Sequence, residues 1–159
     1  MKNSKNKKLF TYMVVGALVM ALSISCKSNE EPQDIGSTIS YHPSQGLYTA
    51  STNSLYPNAN ATVTINNDGT CTITGKASFT SGSTNEQTDF SITVTKWWYY
   101  YDSPNTYNAG SSYEKSEATI TKPANDYFYV SYNTDSGELW IVFGPEGKRY
   151  YTGQLKKVN

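Results

Sequence analysis

The sequence predicts an all-β fold: an eight-stranded antiparallel meander closing into a small barrel, with a two-sheet β-sandwich as the alternative. Segments rich in Thr, Tyr, Val and Ile recur along the chain, and clusters of turn-forming residues separate them. No segment carries a convincing 3.6-residue apolar period, so helices have no support.

Gly46–Ser51 is the first expected strand. Ala61–Ile65 and Thr70–Phe79 flank Asn66-Asn67-Asp68-Gly69, a hairpin signal because these residue types tolerate the positive φ of tight turns. A loop over 80–87 then leads into Thr88–Tyr101, the longest expected strand, and Asp102–Ser112 is expected as an irregular loop. Tyr113–Thr121 ends at Lys122-Pro123, where proline removes a ladder donor. Tyr127–Asn133 and Glu138–Phe143 flank Thr134-Asp135-Ser136-Gly137, and Gly144-Pro145-Glu146-Gly147 leads into Lys148–Val158. Eight short strands joined by hairpins favour a meander, and closure removes its exposed edges. Leu47, Val63, Ile65, Ile73, Ile92, Val94, Ile120, Val130 and Ile141 are expected to fill the interior, leaving little room for a cavity.

Ahead of this domain lies a signal-like segment. Lys2, Lys5, Lys7 and Lys8 form a cationic head, an apolar run extends from Leu9 to Leu22, and Ser23-Ile24-Ser25 precede Cys26. That order is the organisation of a secretory signal. The apolar run is 14 residues long, short of the roughly 20 that cross a hydrocarbon core. Cysteine directly after small residues resembles the lipobox of bacterial lipoproteins, although Leu22 stands one place early and Ser23 holds the position where that pattern prefers Leu. The resemblance implies cleavage before Cys26, fatty acylation (palmitate) of its thiol and membrane attachment through the lipid. Lys27-Ser28-Asn29-Glu30-Glu31 is similar to the acidic export signal of surface-displayed Bacteroidota lipoproteins, and equally to any polar tether. The chain therefore divides into a signal peptide over 1–25, a lipidated cysteine and flexible tether over 26–45, and a β domain over 46–159. The tether, with Pro32, Pro43 and no apolar periodicity, has an r.m.s. reach of roughly 25 Å.

All thirteen acidic residues follow Cys26, while four of the thirteen basic residues precede it, leaving the remainder four negative. After Cys26, basic pairs occur only at Lys148-Arg149 and Lys156-Lys157, which excludes the basic face that nucleic-acid binding requires. About 115 residues from Gly46 onward suffice for one core, and a monomer is expected.

No group of residues points to catalysis, and neither a cofactor nor a metal is expected. The single histidine, His42, lies in the tether without a ligand-spaced partner. Cys71 alternates with Ile73 on a strand face, which places the thiol in the core. Asp89, Glu114, Glu117, Asp126 and Glu138 could pair for glycoside hydrolysis only if the fold brought two together. Asn60-Ala61-Thr62 matches a glycosylation sequon, which a bacterial signal makes uninformative.

The Gly-Leu-Tyr-Thr opening at 46–49 and the Tyr-Tyr-Thr-Gly-Gln-Leu end at 150–155 look like the lipocalin-like or calycin-like lipoproteins of Bacteroidota. The tryptophan usual in the first lipocalin strand is replaced here by Leu47 and Tyr48. Fourteen tyrosines are the unusual composition, and Trp97-Trp98-Tyr99-Tyr100-Tyr101 is their densest neighbourhood. Strict alternation puts Phe90, Ile92, Val94, Trp98 and Tyr100 on one face, and Trp97, Tyr99 and Tyr101 with three Ser/Thr positions on the other. Trp97, Tyr99 and Tyr101, with Tyr107, Tyr127 and Tyr129, are thus the expected exposed ligand-binding residues; the competing explanation is that aromatics simply favour strands. The function expected is non-catalytic binding of a glycan or an envelope protein by a lipoprotein anchored at the outer membrane, facing either the periplasm or the cell surface. A barrel carrying a small hydrophobic ligand is the alternative, and a glycan hydrolase a distant third.

Overall fold

The computed structural model describes residues 36–40, 43–52, 54–56, 58–81, 84–124 and 127–159. The signal segment, Cys26, His42 and Asp126 lie outside them. Among the described residues there is no helix, and every paired strand is antiparallel. The strands are β1 (Gly36–Ile39), β2 (Gly46–Ala50), β3 (Asn60–Ile65), β4 (Cys71–Ser81), β5 (Thr84–Tyr100), β6 (Ser103–Gly110), β7 (Glu117–Lys122), β8 (Phe128–Asn133), β9 (Glu138–Phe143), β10 (Tyr150–Tyr151) and β11 (Leu155–Lys157).

Eight strands form a closed ring in the order β2–β3–β4–β5–β6–β8–β9–β11, with β11 returning to β2. β10 continues the last strand, joining β9 to the far end of β4. Between β10 and β11 the ladder passes through a side chain: Ile141 N donates to Thr152 Oγ1 at 3.0 Å, and Thr152 N donates to Ile141 O at 3.1 Å. Closure of this kind leaves the ring itself without a free edge.

The expected all-β ring of eight strands is present, with different membership. The stretch 102–112, expected as an irregular loop, contains β6, a full ring member. Pro104, Asn105, Asn108 and Gly110 are poor strand formers, yet pairing from Thr106↔Asn133 to Gly110↔Tyr129 overrides their local preference. Conversely, the strand expected over Tyr113–Thr121 shrinks to β7, which among the described residues pairs only with β5. A turn replaces its beginning, with Tyr113 N donating to Gly110 O at 3.0 Å and Ser116 N to Tyr113 O at 2.8 Å. The loop expected over 80–87 is instead the tip of the β4–β5 hairpin, paired out to Ser81↔Thr84. Within the stretch assigned to the tether, β1 pairs with β5 from Gly36↔Tyr100 to Ile39↔Trp97.

One core fills the ring, with buried side chains from each of its strands. Val63, Ile73, Ile92, Val94, Val130 and Ile141 are fully buried, as expected, each worth about 1.5–3 kcal/mol in water-removed surface. Leu47 breaks the expectation at 44% exposed. The pleat of β2 points Tyr48 inward instead, and its hydroxyl donates to Ser44 O at 2.9 Å. Ile65 and Ile120 are only partly buried, against the rim of the core.

Cys71 is buried opposite Ile65 and Val94, and desolvation pushes its thiol up to about 12. A neutral, shielded thiol should react slowly with a polar maleimide in the native protein and fast once denatured. Cys71→Ser should cost about 1–3 kcal/mol in urea melts, through burial of an under-satisfied hydroxyl.

Candidate functional site: an outer aromatic band and its cleft

A β-bulge decides where the aromatic cluster points. β5 pairs with β7 as Val94↔Ala118 and then Lys96↔Glu117, so Thr95 has no counterpart. An extra residue inverts the alternation beyond it. Phe90, Ile92 and Val94 face the core before the bulge, and Trp97 faces it afterwards. Trp97 is 0% exposed, which corrects its place in the expected outward stripe.

Trp98 takes the outer face. The edge of Tyr100 packs on it at 5.8 Å between centroids, and the Lys115 ammonium lies 4.7 Å above its ring. β1 completes the cover: any side chain at position 36 would strike the Trp98 ring and the Tyr99 carbonyl, so only glycine lets the strand approach.

The other expected residues separate into two groups. Tyr99 lies 6.0 Å from Tyr101 and 5.8 Å from Tyr107. Tyr107 packs partly buried against the core, whereas Tyr101 is 53% exposed. These three share the core-facing phase of Trp97 and cluster at one end of the ring, where Thr134 N donates to Asn105 O at 2.9 Å. Tyr127 and Tyr129 belong to the outer wall. The structure therefore does not bring the six residues into one site.

It assembles a different outer band. Phe128, Val130 and Tyr132 point inward, so Tyr129 points out and meets Tyr113 at 6.2 Å and Trp140 at 6.0 Å. The Tyr113 phenol is pushed up by burial and then by the neighbouring phenols of Tyr100 and Tyr127. Burial pushes Tyr129 up to about 12, helped by Tyr113 and Tyr127, so it stays a neutral donor at physiological pH. The Arg149 guanidinium stacks 3.4 Å from the Tyr127 ring and also donates to the Gly144 carbonyl. Trp98, Tyr100, Tyr113, Tyr129 and Trp140 thus follow one another across the outside of the sheet.

At Trp140 the band opens into a cleft of about 620 Å³. Ser51, Ser54, Leu55 and Tyr56 form one side of it. Ser54 N donates to Ser51 O at 3.0 Å, Tyr56 N to Ser54 Oγ at 3.1 Å, and Ala59 N to Tyr56 O at 3.0 Å. Tyr56 stacks on Tyr151 at 5.7 Å and 21°. Gly153 (φ 64°) permits the close seating, because a Cβ there would lie 3.1 Å from the Tyr56 ring. Ala50, Leu55, Tyr56, Trp140 and Val158 supply apolar walls, while Glu138, Gln154 and Lys156 supply a polar rim. Trp140 is 41% exposed, and Glu138 pairs with Lys156 at 3.4 Å. The cleft can stack a flat apolar face on an indole while offering both donors and acceptors to its edges.

Of the acids considered for hydrolysis, Asp89, Glu117 and Glu138 pair with lysines. Asp89 sits 3.1 Å from Lys122 and 4.0 Å from Lys76, and Glu117 pairs with Lys96. Among the described residues no group of His, Cys, Asp and Glu could hold a metal ion. Sequence reasoning missed Trp140, Tyr56 and Leu55. The alternation of Trp140 against Leu139 and Ile141 was a usable signal, whereas the stacking of Tyr56 on Tyr151 had none. Comparison with family models, with curated proteins and with solved structures finds no match to the chain.

Proposed function

We propose that the domain is a non-catalytic glycan-binding module, carried on the bacterial envelope by a lipid on Cys26. The observation that carries this reading is Trp140, exposed in a cleft whose rim alternates Glu138, Gln154 and Lys156. Sugar rings have an apolar C–H face that stacks on an indole and equatorial hydroxyls that need mixed donors and acceptors. Pairing of Asp89, Glu117 and Glu138 with lysines favours binding over hydrolysis. A hydrophobic ligand inside the ring has less support, since all eight ring strands pack side chains into the core.

Trp140→Ala tests the proposal. Full-length protein in detergent, titrated against a glycan panel, should lose about 1–3 kcal/mol of affinity in this variant. Its stability should change by less than about 1 kcal/mol, as a partly exposed surface residue allows. A panel without a binder, or undiminished binding by Trp140→Ala, would contradict it.

A further inference from the structure

Tyr100, Tyr113, Tyr129 and Trp140 stand outside the buried cluster, and Trp98, buried against β1, closes one end of the band. The band is not a set of scattered rings. Centroid steps of 6.2 Å from Tyr113 to Tyr129 and 6.0 Å from Tyr129 to Trp140 run across the strands, Tyr100 packs on Trp98 at 5.8 Å, and the phenols of Tyr100 and Tyr113 are electrostatic neighbours. The path ends in the cleft, because Trp140 is both the last ring of the band and a wall of the cleft. Its flanks are cationic, with Lys115 over Trp98 and Arg149 over Tyr127, and these heads present donors beside the rings.

We propose that the occupant is a linear polysaccharide chain, seated in the cleft at Trp140 and continuing along the band through Tyr129 and Tyr113 to Tyr100. This rests on the glycan reading of the cleft and adds the length of the ligand. Continuity with the cleft selects a chain over a single sugar. Tyrosines with polar tips and flanking cationic donors suit repeated hydroxyl-bearing units better than the flat apolar core of a protein–protein interface. Each successive unit on a ring adds contact without a new association cost, so affinity grows with chain length until the band is spanned.

The test uses oligosaccharide ladders of linear glucan, xylan and mannan, from disaccharide to decasaccharide, titrated onto the full-length protein in detergent. Wild type should bind the longest members of one ladder at least about tenfold more tightly than the disaccharide, a gain of about 1.4 kcal/mol. Tyr113→Ser and Tyr100→Ser should each reduce that gain and leave disaccharide affinity unchanged; Tyr129 is avoided because it touches Trp140. Thermal melting checks that both variants fold, and two positions guard against the loss of either. Length-independent binding that still needs Trp140 would overturn the chain and leave the cleft standing. A gain that survives both substitutions would overturn the band as its path. No binding to any ladder would overturn both proposals.

Discussion

Trp97→Ala is expected to destabilise the domain by about 3–5 kcal/mol, the range for deleting a large buried aromatic. Trp97 is fully buried among side chains from across the ring, and its removal leaves a void that β-strands fixed by pairing on both sides cannot collapse to fill. Urea melts measured against wild type read the loss directly. Two controls separate packing from position. Among the described residues the Trp97 Nε1–H has no hydrogen-bond partner, so Trp97→Phe gives up volume but no hydrogen bond and should cost less than the alanine variant. Tyr101→Ala, at an exposed ring two positions past the strand-facing Tyr99, should cost under about 1 kcal/mol. A Trp97→Ala variant as stable as Tyr101→Ala would place Trp97 outside the core and remove the bulge as the element that orients β5.

The second large effect concerns the anchor. Cys26→Ser is expected to abolish fatty-acid labelling altogether and to leave the precursor uncleaved, since the thiol is the proposed lipid acceptor. Metabolic labelling with a radioactive or clickable fatty acid, followed by mass measurement of the purified chain, reads both. Labelling that persists in the variant would contradict the lipoprotein proposal, while loss of labelling with normal cleavage would separate acylation from export.

What was legible in the sequence follows the physics of each element. The hairpins at 66–69 and 134–137 were plain, because Asn, Asp and Gly there meet a local backbone requirement, with Gly69 at φ 82° and Gly137 at φ 66°. The core positions Val63, Ile73, Ile92, Val94, Val130 and Ile141 were plain as well, since alternation against Thr and Ser marks one face of a strand. β6 was not. Its Pro, Asn and Gly carry turn signals, and its strand state comes from partners on both sides, which no local window contains. The same is true of the bulge at Thr95: nothing in Thr93-Val94-Thr95-Lys96 announces an unpaired residue, and one such residue exchanges the faces taken by Trp97 and Trp98, both of them buried. That exchange moved the expected stripe from the outer wall to the core and one end of the ring. Of the expected residues Tyr127 and Tyr129 lie half-buried on the outer wall, and the exposed ring there is Trp140. Tyr113 and Trp140 reach the band from β-turn and β9 positions that the cluster at 97–101 overshadowed.

Collisional quenching of single-tryptophan variants tests the inverted alternation, and with it the place of the binding surface, most directly. Three proteins are prepared, each keeping one of Trp97, Trp98 and Trp140 and carrying Phe at the other two, and each is titrated with acrylamide and iodide. The fluorescence of Trp140 should be quenched readily by both, and that of Trp97 and Trp98 weakly by either, since only Trp140 presents a large fraction of its surface to solvent. Adding the glycan identified by the panel should then protect Trp140 and leave the other two unchanged. Ready quenching of Trp97 with a shielded Trp140 would contradict the bulge, the outer band and the cleft together.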